Sequence, residues 1–71
     1  MSDPDLILAA VELSGLSARQ FAERVLSRDE RTVRRWSAGQ IPIPPIAREW
    51  LERWIALSDT RRAAIVRALA S

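Results

Sequence analysis

Seventy-one residues suffice for one compact domain, 1–71, and no more. The chain has no cysteine, histidine, tyrosine or lysine, which excludes disulfides, zinc held by thiolate or imidazole, and catalysis by imidazole or amine. All eleven bases are arginine, set against nine acids, and the net charge of +2 holds over a broad plateau because only the α-amino group titrates between the carboxylates and the guanidiniums.

In chain order, the capping chemistry divides the sequence into five helices, with no strand pattern competing. Asp3 followed by Pro4 reads as an N-cap with proline at the first helical position. The first helix then runs to about Leu13 and stops at Ser14-Gly15, a glycine suited to the left-handed C′ position. Ser17 with Gln20 three residues later is a capping box for a second helix to about Leu26. Asp29 caps a third, ending at Ala38-Gly39. The segment 41–45, "IPIPP", is an extended connector, since proline disfavours helix in the residue before it. Pro45 opens a fourth helix to about Leu57, and Ser58 caps a fifth from Asp59 to Ala70.

At 100° per residue each helix can be given an inner face. Ala18, Phe21, Ala22 and Val25 form a core stripe on the second. On the third, Val33 and Trp36 point one way while Arg31, Arg34 and Arg35 point directly opposite. On the fourth, Ile46, Ala47, Trp50, Leu51, Trp54, Ile55 and Leu57 cover about half the circumference, wider than one core face needs. The surplus calls for a second partner, either other helices of the chain or another subunit.

Charge is unevenly spread. Residues 1–16 hold three acids and no base, whereas 17–40 hold six arginines against Glu23, Asp29 and Glu30, and 41–71 hold five arginines against three acids. The spacings Arg19–Glu23, Arg48–Glu52 and Glu49–Arg53 read as solvated i,i+4 pairs, and Glu30–Arg34 allows another worth about 0.2–0.5 kcal/mol. Arg31 and Arg35 have no acid at i±3 or i±4 within their helix. No apolar run reaches the roughly 18–20 residues of a membrane span. The longest, "LILAAV" at 6–11, follows acids rather than the basic segment of a signal peptide, so the expectation is a soluble, cytoplasmic protein without membrane contact.

The stretch 16–42, "LSARQFAERVLSRDERTVRRWSAGQIP", resembles the helix-turn-helix of the phage repressor and Cro type. That family has a capped short helix with an apolar-Ala pair, here Phe21-Ala22, then a turn and a small capping residue, here Asp29. Its next helix carries an apolar residue at the fourth position and another, often Trp, at the seventh, here Val33 and Trp36. Glycine and proline close the motif, here Gly39 and Pro42. There is one departure: Leu26 stands where the family usually has glycine, and Ala22 to Trp36 is one residue longer than usual, so the turn "LSRD" is expected to be enlarged.

The resemblance implies an all-α, five-helix bundle of the lambda-repressor-like class that binds specific double-stranded DNA as a transcriptional regulator. It further implies a repressor of a phage or mobile-element promoter, acting on an inverted-repeat operator. Carried over by position, Glu30, Arg31, Thr32, Arg34 and Arg35 on the helix 29–38 contact bases in the major groove. Arginine suits guanine O6 and N7, and glutamate suits cytosine N4. Ser17, Ala18 and Arg19 at a helix start, with Arg28 and Gln40, contact phosphate. The wide apolar arc and the resemblance together imply a homodimer, with Trp50, Trp54, Ile55, Val66 and Leu69 as candidate interface residues. No cofactor, metal or small-molecule ligand is expected, nor an enzyme, since the remaining acids form no evident cluster. The rival is a protein-interaction module using the fourth helix, such as the antitoxin of a toxin–antitoxin pair.

Overall fold

A cap residue stands at the start of four of the five helices, and where its position departs from expectation the reason is visible. The computed structural model describes residues 1–70, which form an all-α fold without strands. The helices are α1 (Asp3–Ser14), α2 (an α turn, Ala18–Gln20, continuing directly as π-helix, Phe21–Val25), α3 (Glu30–Ser37), α4 (Pro45–Ala56) and α5 (Asp59–Ala70).

The cap of α1 is Ser2, one residue before the expected Asp3; its hydroxyl accepts from the Asp5 amide at 3.3 Å. Asp3 has a longer-range task instead. Its carboxylate accepts from the Ile43 amide at 2.8 Å and from the Arg48 guanidinium, which also donates to the Met1 carbonyl. One side chain therefore fastens the start of α1 to both the connector and α4. At the other end Gly15 takes φ +72° and returns its N–H to Glu12.

On α2 the capping box is complete, Ser17 Oγ accepting from Gln20 N at 3.1 Å and Gln20 Oε1 from Ser17 N at 3.2 Å. The helix then loosens. Leu26 N donates to Phe21 O, five residues back, at 3.1 Å, the signature of a π turn. A π turn houses one residue more than an α turn. The extra residue between Ala22 and Trp36 is thus absorbed inside α2, which corrects the expectation of an enlarged turn. Ser27 follows at φ +52°, a left-handed position normally given to glycine. Arg28 N then reaches back to Ala22 O at 2.8 Å, and Asp29 Oδ1 caps α3 through Arg31 N at 3.0 Å.

The core lies where α1 crosses α3 and α4, with α2 and α5 closing the sides. Trp36, Trp54, Phe21, Leu6, Ile7, Leu51 and Val33 are its largest fully buried side chains. Phe21 meets Trp54 edge-on at 5.8 Å, and the Trp54 indole N–H donates to Ala10 O at 3.1 Å. The inward arc of α4 comprises Ala47, Leu51 and Trp54, whereas Ile46 stays on the outside. Ala18, expected in the α2 core stripe, is exposed, and Val25 is half-buried.

Arg62 on α5 is the one buried charged residue among those described, only 4% exposed. Its guanidinium fits under the end of α4 and donates to the carbonyls of Trp54, Ile55 and Leu57, with Asp59 as counter-charge. A helix C-terminus leaves its last carbonyls without intrahelical donors and carries partial negative charge, so a cation there satisfies both needs.

Candidate nucleic-acid interface

The outer face of α3 is a consequence of how the helix is held. Val33 and Trp36, each 1% exposed, pin one side into the core. With 3.6 residues per turn, positions 31, 34 and 35 must then project outward, and all three arginines are exposed. Glu30 and Thr32 lie on the flanks, each half-buried. Gly39 at φ +74° ends the helix and turns the chain back, so that Gln40 N donates to Arg35 O at 2.9 Å. Arg31, Arg34, Arg35, Ala38 and Gln40 consequently line one open concavity.

The other residues assigned to phosphate are placed as follows. Ser17 caps α2, and its box occupies the N–H groups of Ser17 and Gln20. Those of Ala18 and Arg19 belong to the first turn, where no intrahelical acceptor exists. Arg19 is shared with Glu23 at 3.2 Å in a well-exposed pair. Arg28 is exposed, with its guanidinium 5.4 Å from the centre of the Trp36 ring, a cation–π contact that joins the turn to the anchor of α3.

Ion pairing divides the arginines. Arg19–Glu23, Arg48–Glu52 and Arg53–Glu49, the three spacings read as solvated pairs, all form. Glu30–Arg34 does not. Among the described residues Arg24, Arg28, Arg31, Arg34, Arg35, Arg61 and Arg67 make no ion pair, and the first five lie on or between α2 and α3, although those helices carry acids. Arg24 was absent from the assigned site; its one signal in the sequence is its share in the charge surplus of 17–40.

The interface assignment is corrected at one residue and narrowed at others. Trp54 is 1% exposed and fully engaged in the core, so it offers no surface to a second subunit. Ile55 and Val66 are half-buried against the same core, which leaves Trp50 and Leu69 as the exposed members of the set.

No described helix is long and apolar enough to cross a membrane. No protein-family model, curated protein or solved structure matches the chain.

Proposed function

We propose that this chain is a helix-turn-helix protein that binds specific double-stranded DNA, α2 and α3 forming the motif and α3 lying in the major groove. The observation that carries the proposal is the outward face of α3, where Arg31, Arg34 and Arg35 stand unpaired and together with Gln40 line one concavity. Arg31, Arg34 and Arg35 donate to guanine edges, with Glu30 and Thr32 reading from the flanks. The first turn of α2, with Ser17, Ala18 and Arg19, takes a phosphate, and Arg28 and Gln40 hold the backbone on either side. The protein acts as a transcriptional regulator, a repressor at an inverted-repeat operator bound as a homodimer. Its dimensions of 32 × 22 × 18 Å allow two copies side by side to set their α3 helices about 34 Å apart, one duplex turn.

Titrating random-sequence duplex at several salt concentrations tests the proposal. Affinity is expected to fall log-linearly with salt, by about 0.9 units of slope per phosphate neutralised. Selection from a randomised duplex pool is expected to yield a pseudo-palindrome. Binding that ignores salt, or no binding at low salt, overturns the reading. Exposed Ile46 and Trp50 favour the second reading, an interaction module such as an antitoxin, and that reading gains if duplex binding fails.

A further inference from the structure

The apolar arc of α4 is wider than the core uses, and the unused part has a definite pattern. Ile46 is 85% exposed and Trp50 40%. With Glu49 and Arg53 they follow the i, i+3, i+4, i+7 spacing of one helix stripe, and these four residues line one shallow concavity. Trp50 is already oriented, its indole stacked on buried Trp54 at 5.4 Å and 15°. A pre-set aromatic loses little side-chain freedom on docking, and tryptophan is enriched among the residues that dominate interfaces.

The charges say which partner fits. Glu49 precedes Arg53 by one turn, and within the chain the two pair across 2.7 Å on the exposed edge of the stripe. Laid antiparallel on a second copy of itself, such a stripe is self-complementary. With the two-fold axis crossing the stripe at the level of residue 51, Glu49 of each copy faces Arg53 of the other, the two Trp50 rings approach near the axis, and Ile46 reaches exposed Ala56. A parallel arrangement instead sets acid against acid and base against base. Two-fold contacts require this kind of self-complementary patch.

We infer that the Ile46–Glu49–Trp50–Arg53 stripe is the self-association face of this chain, pairing α4 with α4 of a second copy in antiparallel register. This deepens the homodimer of the functional reading by naming its surface, and it is tested without DNA, so a failure of duplex binding and a failure of pairing are read separately.

The test is a charge-swap series in sedimentation equilibrium, with circular dichroism verifying helicity. The wild type is expected to approach the mass of two chains as concentration rises. Glu49→Arg alone and Arg53→Glu alone each place like charges opposite one another and are expected to weaken self-association roughly tenfold or more. Mixing the two single variants restores both pairs across the interface and is expected to return a heterodimer. The double variant Glu49→Arg/Arg53→Glu is expected to self-associate like the wild type. Trp50→Glu, at an exposed position, is expected to remain folded and monomeric. A wild type that stays monomeric throughout overturns the inference, as does a mixture that fails to pair. A Trp50→Glu variant that still dimerises assigns the contact to another face, such as Leu69 on α5, and equally overturns it.

Discussion

Helices α3 and α4 both carry arginine on their outer faces, and the structure treats the two sets in opposite ways. On α4, Arg48 is held by Asp3 and Glu52, and Arg53 by Glu49. On α3, Arg31, Arg34 and Arg35 meet no acid among the described residues, and their mutual spacings of i,i+3 and i,i+4 place like charges side by side. Each such juxtaposition costs a helix about 0.2–0.5 kcal/mol. Arg61 and Arg67 on α5 are unpaired as well, so what sets α3 apart is three such cations on one outward face, and in the proposed function the duplex supplies their opposite charge. That repulsion on α3 is what the proposed function would offset.

The most severe way to break this contrast is to remove the anchor that aims the α3 arginines outward. Trp36→Ala is expected to cost about 3–5 kcal/mol through lost burial and a residual cavity, and so small a domain then loses its cooperative thermal transition. A variant that melts like the wild type and loses only DNA binding places Trp36 in the interface and rotates the assigned faces of α3.

Much of this arrangement is legible in the sequence because it is decided locally. The Ser17–Gln20 box, the Asp29 cap and the Pro45 start are short-range chemistry, and the opposition of Val33 and Trp36 to the arginines follows from helix geometry alone. What escaped depends on contacts between distant residues. Trp50 and Trp54 share one apolar arc, and only the position of Phe21 and the Ala10 carbonyl selects Trp54 for the core. Nothing in the sequence marks Arg62 for burial, which follows from α5 folding back under the end of α4. Leu26, in the usual place of glycine, signals an irregularity in 26–29, whereas nothing in the sequence marks the π turn at Phe21–Val25, where Phe21 and Ala22 are fully buried.

A gentler test crosses the two helices. Arg31→Ala and Arg35→Ala remove no buried contact, so the melting curve is expected to stay in place while specific binding weakens by about 1–3 kcal/mol and discrimination relaxes at one base pair. Arg48→Ala is expected to do the reverse. It frees Asp3 and the start of α1, costs about 1 kcal/mol of stability, and leaves base preference unchanged. Thermal melts and binding to a selected site and its scrambled counterpart, run on all three variants, measure both axes. Uniform loss on every sequence for Arg31→Ala and Arg35→Ala makes α3 a backbone binder. A shift in base preference for Arg48→Ala ends the division between paired and unpaired arginines.

The smallest expected effect lies in the turn that joins α2 to α3. Three residues that follow helices, Gly15, Ser27 and Gly39, adopt positive φ, and only Ser27 carries a side chain. A left-handed conformation costs an L-residue roughly 1–2 kcal/mol. Glycine removes that cost, but it widens the unfolded ensemble by roughly 0.5–1 kcal/mol. Ser27→Gly is therefore expected to stabilise the fold by about 0.5 kcal/mol, raising the melting temperature by roughly 2–4 °C. Gly15→Ala is the matching control in the opposite direction. A Cβ at Gly15 meets nothing within 4 Å, so its loss, about 0.5 kcal/mol, reads the same two backbone terms in reverse with no steric contribution. Because the backbone of the turn is unchanged in Ser27→Gly, affinity for DNA is expected to match the wild type even as stability rises. A Ser27→Gly variant less stable than the wild type means that the residue is not left-handed in solution. The extra residue then lies in the turn after all, and the direction in which α3 presents its arginines changes with it.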